Sequence, residues 1–165
     1  LSRYRPPAKP STALITAEGF DILQQELKDL WKRRKGVTEA VTAAAAEGDR
    51  SENAEYIYRK KELREIDRRI RYLQKRLSVL KVVRERPSDE EKVFFGARVT
   101  LTDEQDNEST VRIVGPDEID TARKWISVDS VMARALLKKE AGDEITVRAP
   151  GGETVYCIEE ISYSE

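Results

Sequence analysis

Between residues 20 and 80 two series of mostly apolar side chains recur at alternating steps of three and four. The first runs Phe20, Leu23, Leu27, Leu30, Arg34, Val37, Val41, Ala44. The second runs Tyr56, Arg59, Leu63, Ile66, Ile70, Leu73, Leu77, Leu80. This is the a/d stripe of a coiled coil. The two series mirror each other about residue 50, with Phe20 opposite Leu80, Leu30 opposite Ile70 and Val37 opposite Leu63. A chain folded back near residue 50 therefore sets stripe against stripe, and a short connection makes the helices antiparallel. The pattern predicts a helical hairpin over 14–83 with its tip at 48–53, opening near Thr16 as an N-cap ahead of Glu18. Arms of roughly 28–30 residues would be about 42–45 Å long. Such a rod exposes most of its surface, which suits reach better than enclosure. Arg34 and Arg59 interrupt the stripe and are expected to lay their stems along the groove with the guanidinium outside. Gly36 weakens the first helix by about 1 kcal/mol relative to Ala and predicts a local bend.

Outside the hairpin the period changes. Residues 1–13, with three prolines and no apolar period, read as a mobile tail, and 84–92 as a linker in which Pro87 ends the helical pattern. From 93 to 165 the chain reads as a small α+β domain. Strands are expected over 97–103, 109–115, 143–149 and 153–163, a hairpin turn over 149–153, and a short helix over 130–139 opened by Ser130. Residues 1–86 hold 21 Lys and Arg against 13 Asp and Glu, whereas 87–165 hold 9 against 18. A basic module joined to an acidic one points to two different partners.

Several chemistries are excluded outright. The chain has no histidine, so imidazole acid–base catalysis, Ser-His-Asp triads and His-ligated metals are absent. Cys157 is alone, which leaves no internal disulfide or Cys-based zinc site, and it reads as a buried reduced thiol. No apolar run spans a bilayer and no leader is evident, so a cytoplasmic protein without a membrane partner is expected.

Two carboxylates, Asp49 and Glu52, stand beside Gly48 at the fold-back. Gly48 is suited to stop the first helix in a left-handed conformation. Asp-x-x-Glu ahead of a helix reads as a capping-box variant. The same pair also reads as a partial ligand set for one hard cation. Mg2+ prefers six oxygens and keeps most of its waters, so a second macromolecule would have to complete such a site. Behind the tip lie Arg50, Arg59, Lys60, Lys61, Arg64, Arg68, Arg69 and Arg71, with Tyr56 and Tyr58 interleaved. These read either as a solvated face pairing with Glu62, Glu65 and Asp67, or as phosphate contacts with base stacking on a single strand.

Four blocks resemble the Gre family of bacterial transcript-cleavage factors, of the GreB type. They are GDRSENAEY (48–56), KKELREIDRRIRYL (60–73), VFFGARV (93–99) and SVDSVMARALLKKE (127–140), and the resemblance runs from about Leu14 to Tyr163. It implies an N-terminal antiparallel α-helical coiled-coil hairpin followed by a small FKBP-like α+β domain. The hairpin would enter the secondary channel of bacterial RNA polymerase. Asp49 and Glu52 would be the catalytic pair, holding a Mg2+ shared with the polymerase. Arg50, Ser51, Asn53 and Tyr56 match the family's tip loop. Arg59, Lys60, Lys61, Arg64, Arg68 and Arg69 match the basic patch that faces the nascent RNA 3′ end in the backtracked complex. Asp129, Ser130, Val131 and Met132 match the polymerase-docking segment. The implied outcome is a monomeric accessory factor that switches on RNA cleavage by the polymerase without being an enzyme itself. A channel regulator that docks without promoting cleavage, and a coiled-coil adaptor that oligomerises through its stripe, remain as alternatives. Two departures stand out: the family's Pro near Lys35–Gly36 is missing, and its Asp-Ser-Pro is here Asp129-Ser130-Val131. Glu62 stands where the patch commonly has a basic residue.

Overall fold

The seam residues set the first unit. In the computed structural model, which describes residues 10–49 and 52–163, α1 spans Ala17–Ala45 and α2 spans Ala54–Leu77. All sixteen seam positions are buried or half-buried. Val37, Ile66 and Ile70 form a buried cluster, with Leu27, Leu30, Val41 and Leu63 packed against it. The apolar residues at the centre of the seam thus face inward, as the mirrored spacing requires. α1 passes through exposed Gly36 without interruption. The second arm is shorter than expected, at 24 residues. It starts at Ala54, directly after the expected tip, and ends early, at Leu77, where the Ser78 and Val79 amides turn back to the Arg76 carbonyl.

Charged pairs flank the seam. Arg34 Nε donates to Asp67 Oδ1 at 2.6 Å, and Arg33 Nη2 to Glu62 Oε1 at 2.8 Å. Arg69 grips Glu26 with two bonds, at 2.8 and 3.1 Å. Each joins α1 to α2. Exposed pairs of this kind contribute roughly 0–1 kcal/mol apiece, so their main effect is to fix the helix register. Arg34 and Arg59 behave as their positions imply, with half-buried stems and guanidinium groups on carboxylates.

The second unit comprises the described residues up to Ala17 together with Lys81 onward. Its strands are β1 (Leu14–Thr16), β2 (Lys81–Val83), β3 (Arg98–Thr102), β4 (Glu108–Val114), β5 (Trp125–Ser127), β6 (Glu144–Ala149) and β7 (Gly152–Ser162). Five form one sheet in the order β5-β4-β3-β7-β6, antiparallel except for the parallel β4–β5 pair. A register shift opposite Thr100–Leu101 leaves Glu159 as the extra residue of β7. The shift keeps Ile158 and Ile161 on one core. Helix α3, Val131–Leu136, opens on Ser130, whose hydroxyl accepts from the Ala133 amide. Its Ala133 and Leu136 join Val93, Val99, Leu101, Ile113 and Ile158 in the main core.

Three short strands were not foreseen. β1 and β2 pair in parallel, and β5 adds to the sheet beside β4. At three residues each they show no period. The tail reading also changes at its C-terminal end. Residues 1–9 lie outside the described residues, but the Thr12 amide donates to Asp129 Oδ2 at 2.9 Å and its hydroxyl to Asp129 Oδ1. Buried Glu118 accepts from the Thr16 amide at 3.0 Å, the Thr16 hydroxyl and the Gly115 amide at 2.7 Å. Leu14's carbonyl lies so close to Gly115 that any β-carbon there would collide with it. β1 is therefore clamped to the sheet unit before the chain turns into α1.

Candidate functional site

α1 does not run to Gly48. After Ala45 it tightens into bonds from the Ala46 amide to the Ala43 carbonyl (3.3 Å) and from Glu47 to Ala44 (3.2 Å). Gly48 has φ 150°, far from the left-handed helical value near +57° expected of a helix stop. Asp49 follows and is exposed, and the Glu52 amide donates back to the Asp49 carbonyl at 3.3 Å. Glu52 is exposed as well. Arg50 and Ser51, both expected at the tip, lie outside the described residues.

The cap of α2 is Asn53, which corrects the capping-box reading of Asp49 and Glu52. Its Oδ1 accepts from the Tyr56 amide at 3.0 Å, and its Nδ2 donates to the Ala44 carbonyl at 2.7 Å. Neither acid occupies the cap position of the helix that follows. Tyr56 is half-buried and lines a pocket together with Val41, Thr42, Ala45 and Ala46, with the Lys60 ammonium 5.6 Å from its ring centre. Among the described residues no group of three or more acids, His or Cys could hold a metal. Two exposed carboxylates fit a hard cation only as part of a shared ligand set.

The basic residues divide into two classes. Arg59 is held by Glu55 at 2.9 Å and by Glu62 at 3.0 Å, and Arg69 by Glu26. The hydrogen bonds to Glu55 and Glu62 raise the Arg59 guanidinium above its ordinary value. Arg33 and Arg59 together hold the Glu62 carboxyl below its own. Lys60, Lys61, Arg64, Arg68 and Arg71 are exposed. At about 100° per residue, Lys60, Arg64, Arg68 and Arg71 share one face of α2, turned away from the seam. Lys75, exposed and on the same face, was missed. Its steps of four and eleven from Arg71 and Arg64 were the available signal.

The segment expected to dock, Asp129 to Met132, is also divided. Both oxygens of Asp129 accept from Thr12, and Ser130 caps α3. Met132 is half-buried against the sheet core. Val131, 57% exposed, is the apolar side chain of the four that faces solvent. It fills the first helical position, which is also the one position in a helix where Pro is well tolerated. Ile119 is exposed too. Cys157 is half-buried, and burial, followed by Glu159 and Glu144, pushes its thiol above the ordinary value.

Two family descriptions account for the chain almost end to end. Residues 13–82 match the N-terminal domain of transcription elongation factors, and 88–163 match the C-terminal domain of GreA/GreB. The chain belongs to the Gre family of transcription elongation factors. It is of the GreB type. It is 57% identical over 166 residues to transcription elongation factor GreB of Xanthomonas axonopodis pv. citri, covering 99% of both chains. With the GreB of Pseudomonas aeruginosa it shares 57% over 164 residues, covering 99% and 98%. With that of Yersinia pestis it shares 59% over 150 residues, covering 90% and 88%. Among solved structures it is similar to GreA factor homolog 1 of Thermus thermophilus, with 25% identity, TM-score 0.43, and coverage of 91% and 98%. No helix among the described residues is long and apolar enough to cross a membrane.

Proposed function

We propose that this Gre-family chain acts on bacterial RNA polymerase as an accessory factor that promotes cleavage of the 3′ end of backtracked RNA. The observation that carries the reading is the tip. Two carboxylates stand exposed where a helical hairpin turns back, and the cap of the helix that follows is Asn53. Asp49 and Glu52 would hold a Mg2+ jointly with acids of the polymerase. When bound, that cation lowers the pKa of a water and stabilises the attacking and leaving oxygens of phosphodiester cleavage. The chain contributes carboxylate oxygens and their placement. The catalytic pocket belongs to the polymerase, so the chain is not itself an enzyme.

Lys60, Lys61, Arg64 and Arg68 would contact the phosphates of the extruded RNA, with Arg71 and Lys75 extending the track. Arg59 and Arg69 already sit on carboxylates of the hairpin and add less. Val131 would be the apolar contact of the docking segment, and Asp129 would act by holding Thr12. The protein works as a monomer, since its seam is filled within one chain.

A stalled, backtracked polymerase complex with Mg2+ tests this. The wild-type chain should shorten the RNA from its 3′ end. Asp49→Asn with Glu52→Gln should lower the rate by more than about 10–100-fold, the loss typical of removing a group that only orients a metal ligand. Equal rates would refute the assignment. Inhibition without shortening would favour the regulator that only docks.

A further inference from the structure

One side chain at the tip bonds to both helices, and nothing in the proposed reaction yet uses it. The last carbonyls of α1 and the first amides of α2 lack the partners of a helix interior, although the Ala44 carbonyl does take the Glu47 amide at 3.2 Å. The Asn53 amide reaches both sets, donating to the Ala44 carbonyl and accepting from the Tyr56 amide. The bond to Ala44 is shielded, because Ala44 is buried and Asn53 half-buried. An Asp here would keep the acceptor that caps α2 but has no donor for the carbonyl. Ser or Thr would also cap, on a side chain one atom shorter.

We infer that Asn53 is a positioning residue: its amide ties the end of α1 to the start of α2 and thereby fixes where Asp49 and Glu52 are held. This rests on the proposed role of the two acids. Asn53 touches no reacting atom. It acts on the span of chain between Ala44 and Tyr56, which carries both carboxylates, by anchoring that span at its two ends. Glu52 directly precedes the anchor, and its amide is bonded to the Asp49 carbonyl, so displacement of Asn53 moves both acids.

The decisive variant is Asn53→Asp, which retains the cap and removes the bridge. Asn53→Ala, which removes both, is the comparison. The first readout uses the free protein. The Asp49 and Glu52 backbone amides should show higher mobility by 15N relaxation in Asn53→Asp, with amides of α1 and α2 remote from the tip unchanged. Unaltered mobility at Asp49 and Glu52 would overturn the inference, whatever the protein does to RNA. The second readout separates placement from binding in the cleavage assay. Displacement of a reacting group by about 1 Å can cost a hundredfold in rate. Cleavage at saturating factor should therefore fall at least about tenfold in Asn53→Asp, and more Mg2+ should be needed for half-maximal rate, while the factor concentration giving half saturation stays within about twofold. A loss fully recovered by adding more factor would mean that Asn53 serves only folding or docking, and would overturn the inference. Should the wild-type chain shorten no RNA, the proposed function fails by itself, and the relaxation measurement still decides whether Asn53 holds the tip.

Discussion

Glu62 shows how one residue redirects its neighbours. It takes hydrogen bonds from Arg33 on α1 and from Arg59 on its own helix. Its carboxyl is held below the ordinary 4.5, first by the bond from Arg33 and then by that from Arg59. A depressed carboxyl adds stability above its unfolded value and loses it as pH falls through the folded one. The helical signal of the wild-type chain should therefore lose thermal stability as pH drops below about 4.5, and Glu62→Gln should lose less over that window while being weaker at pH 7. Parallel pH profiles for the two proteins would rule this out. The same network explains a limit of sequence reading. Arg59 and Lys60 are adjacent basic residues, yet one sits between two carboxylates and the other is exposed. Their spacing separates them only in part. Arg59 has Glu55 four residues before it and Glu62 three after, whereas Lys60 has no acid at either step, but the bond from Arg33 that completes the network forms only when the hairpin closes. The tip makes the same point: Asp49 and Asn53 are both good capping residues, and helix geometry selects Asn53.

At the level of elements, the hairpin was legible and the small sheet additions were not. A seam repeating every seven residues over two arms leaves few other ways to bury its apolar side chains. Ile70 is 4% exposed within the central cluster, so Ile70→Ala should destabilise the hairpin by about 2–5 kcal/mol in denaturant unfolding followed by helical circular dichroism. A loss under about 1 kcal/mol would mean the seam is looser than its burial implies. In the sheet unit, Tyr163 closes the last strand. Its hydroxyl accepts from the Phe94 amide at 2.8 Å and donates to the Lys92 carbonyl. Tyr163→Phe leaves both groups without this partner and should cost about 1–3 kcal/mol, read from the sheet unit's unfolding by Trp125 fluorescence. β1, β2 and β5 escaped notice because three residues hold less than two repeats of any period. Their existence depends on Lys81 to Ala13 and Val128 to Val114 bonds between distant segments.

For the molecule as a whole, charge and association are the testable quantities. The hairpin half is basic and the sheet half acidic. If Lys60 and Lys61 each neutralise one RNA phosphate, Lys60→Glu with Lys61→Glu should flatten the salt dependence of RNA-dependent activity. The slope should fall by about 0.7 log units for each phosphate left without its cation, the single-strand value. The effect should grow with the length of backtracked RNA. Unchanged cleavage across RNA lengths and salt would remove the basic face from the mechanism. Sedimentation should show one species across a wide concentration range, since each protomer fills its own seam. A concentration-dependent dimer would revive the adaptor reading.

The mirrored stripe determined the hairpin, the place where it turns and the two acids carried there, because heptad spacing and chain reversal are properties of the linear order of residues. The tertiary structure decided which residue caps α2, which cations on its surface remain exposed and how the strand before α1 is held. Those outcomes depend on hydrogen bonds and ion pairs between residues as far apart as Thr12 and Asp129 or Arg33 and Glu62. Such partners are chosen by distance in the folded chain, which local pattern does not encode.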